Sequence, residues 1–332
     1  MKYYFFKQTE DIKPFINVPQ NLEVNDIQAE LRKAGEEYII PEISEAQWNA
    51  LVSKYNSTTT LTTQESALLE KIRAPLIQFG LYRHYMLNQA EWTGAGFTQR
   101  NNGEGYSKSD FRDVNRQLNY LLEDAHKQNE KLHLWLEKNR NTYTTYKNSA
   151  ERKERLKFFI HTATQFKKSS LEVSALTFSK LYAAIDHIEN FEILPAIGDT
   201  YFNEIKTELL TSVSDNNQKP LEYIRKAIAP LVIRKAMMDN IIRLDGSKVV
   251  LIEDRSSYQS KRSPDSKFSS KLSPVLKSLQ EAGAKWQNKL LTHLNNSPTI
   301  YTSYHEYIEL DDEEEEEITL PTNEKESSFY RA

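Results

Sequence analysis

The sequence predicts a mainly α-helical protein, built as two tandem copies of one helical-bundle domain with short β-strands and closed by an acidic C-terminal extension. Internal repetition is the first observation behind this. Ile40-Pro41-Glu42-Ile43, followed by Trp48 and Leu51, is echoed by Leu194-Pro195-Ala196-Ile197, then Phe202 and Ile205. Ala74-Pro75-Leu76 returns as Ala229-Pro230-Leu231, and Leu132, Leu136 and Tyr143 return as Leu290, Leu294 and Tyr301. The marks keep their order while the offset drifts only from 154 to 158 residues, far beyond the roughly 20–50 residues of a solenoid repeat. The second observation is composition: 18 tyrosines against 9 glycines, with many long polar side chains, suits helices better than a turn-rich β fold. The third is the change after Tyr307, where Asp311, Asp312 and Glu313 to Glu317 form one acidic run. The expected units are residues 1–150, 151–307 and 308–332.

In the first copy, Lys2 to Phe6 reads as a short strand of β-formers. Asn25 or Asp26 can cap a helix carrying Ile27 and Leu31. Ser44 begins another, with Trp48, Leu51, Val52 and Tyr55 at helical spacing. A longer helix is expected from about Gln64 to Trp92, with Pro75 removing one backbone donor inside it. Trp92 to Tyr106 holds Gly94, Gly96, Gly103 and Gly105 and is expected to be a loop with a short strand at Gly96-Phe97-Thr98. A long helix to about Asn141 follows, striped by Phe111, Leu118, Leu122, Leu132 and Leu136, and Tyr143 to Tyr146 is expected to be extended. Lys147 to Lys157 is polar and reads as the inter-domain linker.

The second copy repeats the plan. Phe158-Phe159-Ile160 matches the opening strand, and Phe178, Leu181 and Ile185 stand where Val24, Ile27 and Leu31 stood. Helices are expected at Asp199–Ser212, Pro220–Leu244 and Ser273–Asn295, with a strand at Val249–Ile252. Glu253 to Ser270 is a polar excursion in place of the glycine-rich loop.

A length of 332 residues suits about two domains. The formal charge of −4 is mild and advertises no general basic face for nucleic acid. The absence of cysteine removes disulfides, thiolate metal sites and a Cys nucleophile, and fits a reducing compartment. No run of about 18 apolar residues offers a membrane span, and the N-terminus carries no secretory h-region.

Motifs for chemistry are sparse. Glu130-Lys131-Leu132-His133, with His126 on a similar face, is the best metal candidate, yet a di-iron bundle needs such a pair from each of two helices plus two more glutamates. It reads as a helix face, so no metal, cofactor or catalytic residue is assigned. No nucleophile elbow, phosphate-cradling loop or zinc-protease motif is present. The candidate interaction residues lie on the divergent decoration instead: Gly94, Gly96 and Phe97 on the glycine-rich loop, Lys261, Arg262 and Lys267 on the polar excursion, and Asp311, Asp312, Glu313 and Glu317 on the tail. Loops carry recognition, and an acidic run flanked by apolar beads suits a docking tail and a solvated one equally.

Taken together, Ile40-Pro41, Trp48, Ala74-Pro75-Leu76, Gly94 to Thr98 and Leu132 to Tyr146, with their second-copy equivalents, resemble the head–tail connector (adaptor) proteins of tailed bacteriophages, in the tandem-domain form seen in Bacteroidetes phages and prophages. The resemblance covers about residues 1–307 and is architectural. It implies a virion structural protein without catalytic residues, assembled in the host cytoplasm as a closed homo-oligomeric ring, twelve-fold in the family, in the neck between the portal protein and other neck or tail proteins. DNA would only pass through the lumen, where acidic groups repel phosphate. The common adaptor has one such domain, so two copies are a departure. The alternatives are a cytoplasmic bacterial helical binding or scaffold module and, third, a metal-dependent enzyme.

Overall fold

The computed structural model describes residues 3–17, 22–87, 91–93, 96–98, 111–245, 248–252 and 266–305. The first copy contains α1 (Val24–Ala34), α2 (Ile40–Ile43), α3 (Glu45–Asn56), α4 (Thr63–Leu87), β1 (Glu91–Thr93), β2 (Gly96–Thr98), α5 (Phe111–Lys138) and α6 (Thr144–Lys147). Next come α7 (Ala150–Leu156), α8 (Ala163–Ser169), β3 (Glu172–Val173), α9 (Ala175–Ser179) and α10 (Tyr182–Ile188). Then follow α11 (Leu194–Ile197), α12 (Asp199–Leu210), α13 (Asp215–Met238), β4 (Ile242–Asp245), β5 (Lys248–Leu251) and α14 (Ser266–Asn295). The fold is mainly α and duplicated, as expected. Two hydrophobic clusters form, one from Phe5 to Tyr146 and the other from Phe158 to Tyr304. No helix among the described residues is long and apolar enough to cross a membrane.

The repeat is exact at its most unusual backbone. Gly35–Ile39 and Glu189–Ile193 are both one turn of π-helix, closed by Ile40 N–H to Gly35 O and Leu194 N–H to Glu189 O. Each turn leads into a helix with proline in its first turn. A proline ring pushes on the carbonyl four residues back, and a widened turn makes room for it. Both short helices then stop at a residue with positive φ, Ser44 (φ 81°, ψ 149°) and Gly198 (φ 74°, ψ 155°). Glycine takes that conformation without strain. Ser44 accepts it while its hydroxyl caps α3, receiving Gln47 N–H at 3.3 Å.

Several expectations are corrected. Tyr3 to Phe6 and Phe158 to Ile160 form no strand. Their backbone groups are met by side chains instead: Gln28 accepts from Tyr4 N–H and donates to Phe6 O, both at 2.9 Å. Arg73 Nε donates to Phe5 O at 3.0 Å, and Arg225 Nε to Phe159 O at 2.8 Å. The segments serve as aromatic plugs, with Phe5 edge-on to Trp48 at 4.9 Å and Phe159 edge-on to Phe202 at 5.1 Å. Trp92 and Leu244 leave their helices for strands. β1 and β2 pair as an antiparallel hairpin, and β4 and β5 as another, to which β3 adds in parallel along β5. Thr144 to Lys147 is helical rather than extended, because Tyr143 and Tyr146 must both turn inward to be buried. The excursion is shortened at its C-terminal side, since α14 already starts at Ser266.

Candidate functional site at the joint between the copies

The expected linker is instead a packed helix. Ser149 caps α7 through Arg152 N–H at 3.2 Å, and Arg152 and Leu156 point inward. A charged heptad reads as solvated from sequence, but a helix buries one face, and the face turned in carries Arg152 and Arg155. Arg155 forms an ion pair with Glu42 of α2, a residue only 6% exposed. Asn129 of α5 donates to Glu42 Oε1 at 3.2 Å and to Tyr38 O at 3.1 Å. Below this, Arg152 clamps Glu137 with two bonds of 2.7 and 3.0 Å, and the Tyr146 hydroxyl donates to the same carboxylate. Burial works against the Glu137 charge, but Arg152 and Tyr146 outweigh it and hold the carboxyl below its usual range.

The second copy is stitched on at several points. Arg152 donates to Leu210 O at 3.1 Å and Arg140 to Thr211 O at 3.2 Å. Glu130 receives Thr164 N–H, at the N-terminal end of α8, at 2.7 Å, where a carboxylate meets the positive end of a helix. Between the copies lies a cleft of about 1100 Å³, lined by Tyr38, Tyr82, His126 and Asn129 on one side and by Phe158, Leu176, Lys180 and Tyr182 on the other.

The metal candidate comes apart here. Glu130 faces α8, whereas His133 is buried 3.5 Å from Glu42 with its ring 6.0 Å from that of His161. His126 sits edge-on to Tyr38 and Phe79. No group of three or more metal-ligating side chains gathers among the described residues. Burial lowers His126 and His133 to about 4 and takes His161 well below its ordinary value. His133 is therefore neutral at pH 7, and the counter-charge of Glu42 is Arg155.

Histidines depressed in this way give stability that is complete above pH 6.5, where the unfolded imidazoles are neutral too. It is lost as pH falls towards 4, because only the unfolded chain then takes up protons. We expect the thermal midpoint to drop across this window, with a shallower drop in His133→Gln. Equal pH slopes for the two proteins would refute the assignment to His133.

Two segments of the chain, residues 24–155 and 193–313, match a family of unknown function, DUF6712. The chain belongs to this family. The tandem DUF6712 matches agree with the two copies seen in the fold. They end at Arg155 and Glu313, separated by the same 158 residues as Tyr146 and Tyr304, and the first match takes in α7 up to Arg155. No curated protein matches the chain, and no solved structure does.

Of the interaction residues expected from sequence, Gly96 and Phe97 lie on β2, paired to Thr93 and Trp92. Lys267 lies in the first turn of α14 rather than on a loop. Gly94, Lys261, Arg262, Asp311, Asp312, Glu313 and Glu317 lie outside the described residues. Sequence singles out neither Glu42 nor Asn129, and it reads His133 as a helix face and Arg155 as linker, although comparing the copies offers a signal: Glu42, Asn129 and His133 become Ala196, Gln287 and Leu291 in the second. Two of these three changes remove polarity while the scaffold is kept.

Proposed function

We propose that this DUF6712 chain is a structural protein of a tailed-bacteriophage virion, an adaptor ring in the neck between portal and tail, with no catalytic step of its own. One observation carries the reading: the two copies meet through different faces. The first presents α2, the C-terminal half of α5 and α7, and the second presents α8 to α10. A contact between unlike faces is heterologous, the kind from which closed rings are made. The buried ionic stitching at the joint fits a rigid assembly part better than a hinge. The resemblance of the repeated sequence motifs to those of connector proteins supports the same reading, as do two hairpins standing at equivalent places between the long helices of each copy.

Purified virions from a source carrying this gene should contain the chain by mass spectrometry, and particles made without it should be filled heads lacking tails. Virions that lack the chain would overturn the proposal and favour a bacterial scaffold module.

A further inference from the structure

The face of the first copy that holds the second has an equivalent on the second copy, and among the described residues that equivalent meets no partner domain. The offsets fix the correspondence. Glu37, Tyr38 and Ile40 become Phe191, Glu192 and Leu194; Tyr82 and Arg83 become Met237 and Met238; Asn129 becomes Gln287. Even the hydrogen bond is kept. Gln287 donates to Glu192 O at 3.1 Å, as Asn129 does to Tyr38 O at 3.1 Å.

The rim changes in one concerted way. In the first copy Arg83 and Glu37 form an ion pair at the edge of the cleft. At the same two positions the second copy places Met238, 51% exposed, and Phe191, 70% exposed and touched by the His187 ring at 4.7 Å. Two large exposed apolar side chains at the rim of a repeated docking face mark it as a surface that another chain can cover.

We propose that this face of the second copy receives the first copy of another molecule of the same chain, repeating between molecules the head-to-tail contact made within one. The incoming surface is the first-copy equivalent of α9 and its C-terminal end. Ser179 and Lys180 line the internal cleft, and their counterparts Asn25 and Asp26 are exposed. The proposal gives the proposed assembly role its face and rests on that role only for its biological setting, because self-association of this kind needs no virion.

The test uses the full chain in analytical ultracentrifugation over a range of concentrations, with thermal unfolding as the control for folding. Wild type should self-associate. Phe191→Asp and Met238→Asp should each weaken association at least tenfold, as should Asn25→Arg combined with Asp26→Arg, all with unchanged melting. Mixing Phe191→Asp with the Asn25/Asp26 double variant should yield complexes of two chains and no larger, since each supplies the face the other has lost. A wild-type monomer at every concentration overturns the proposal, and residues 306–332 or a different protein would then be what covers the face. Association untouched by Phe191→Asp and Met238→Asp also overturns it, leaving the adaptor role intact through another surface. Association of the Asn25/Asp26 variant at wild-type strength points to a symmetric Phe191-to-Phe191 dimer and overturns the head-to-tail arrangement. Association through this face by a chain missing from virions would keep the proposal and refute the adaptor role.

Discussion

Glu42→Ala is expected to destabilise the protein by about 3 kcal/mol, because it leaves the part-buried Arg155 guanidinium without its carboxylate partner. Size is not the issue, since the equivalent residue of the second copy is Ala196. What the variant removes is the acceptor that Arg155 and Asn129 share. Replacing both members, Glu42→Met with Arg155→Met, should recover most of the loss, because a buried pair exchanged for apolar groups of similar volume is often neutral. Chemical denaturation of the two variants decides this. A single variant within about 1 kcal/mol of wild type would mean that Arg155 is solvated and that the pair does not hold the joint.

Gly35→Ala is the second large effect, at about 1–3 kcal/mol. A Cβ at Gly35 would stand 2.3 Å from two atoms of the Trp48 ring. That ring cannot slide away, since it is 3% exposed and held by Phe5 edge-on and Tyr4 in a stack. The second copy shows the alternative solution at the same positions. There the π-turn begins with Glu189 and the aromatic is the smaller Phe202. Trp48→Phe should therefore rescue Gly35→Ala although it costs stability alone. Additivity of the two within about 0.5 kcal/mol would show that the residues are not coupled.

The same triad shows why one scaffold gave two interiors. Gly35, Trp48 and Val52 of the first copy are Glu189, Phe202 and Lys206 in the second. Glu189, buried and pushed up to about 7 by that burial, accepts from Phe159 N–H at 2.6 Å and pairs with Lys206. Lys206 also lies 3.9 Å over the Phe159 ring. An aromatic, a glycine and a valine have been exchanged for an ion pair under an aromatic lid. The sum of three substitutions is legible only when the three are known to touch.

Apolar periodicity and the repeated prolines were enough to place the long helices, the duplication and most of the core. These depend on residues three or four apart in the chain, and local spacing reports them directly. Leu132 and Leu136, Leu290 and Leu294, and the pairs around Pro75 and Pro230 are buried where that spacing puts them. The element ends were less legible. The opening Phe5 and Phe159 have the side chains of strands, but no strand among the described residues reaches them, and Gln28, Arg73, Glu189 and Arg225 satisfy the backbone there instead. The joint was not legible at all. Whether Arg152 and Arg155 face water or Glu137 and Glu42 depends on which side of a seven-residue helix lands on α2 and α5, and charge composition is the same either way. Local spacing alone determines two like bundles joined by a polar segment, and three-dimensional contact alone turns that segment into the ionic seam that locks them together, because the free energy of a charge is set by its surroundings rather than by its neighbours in the chain.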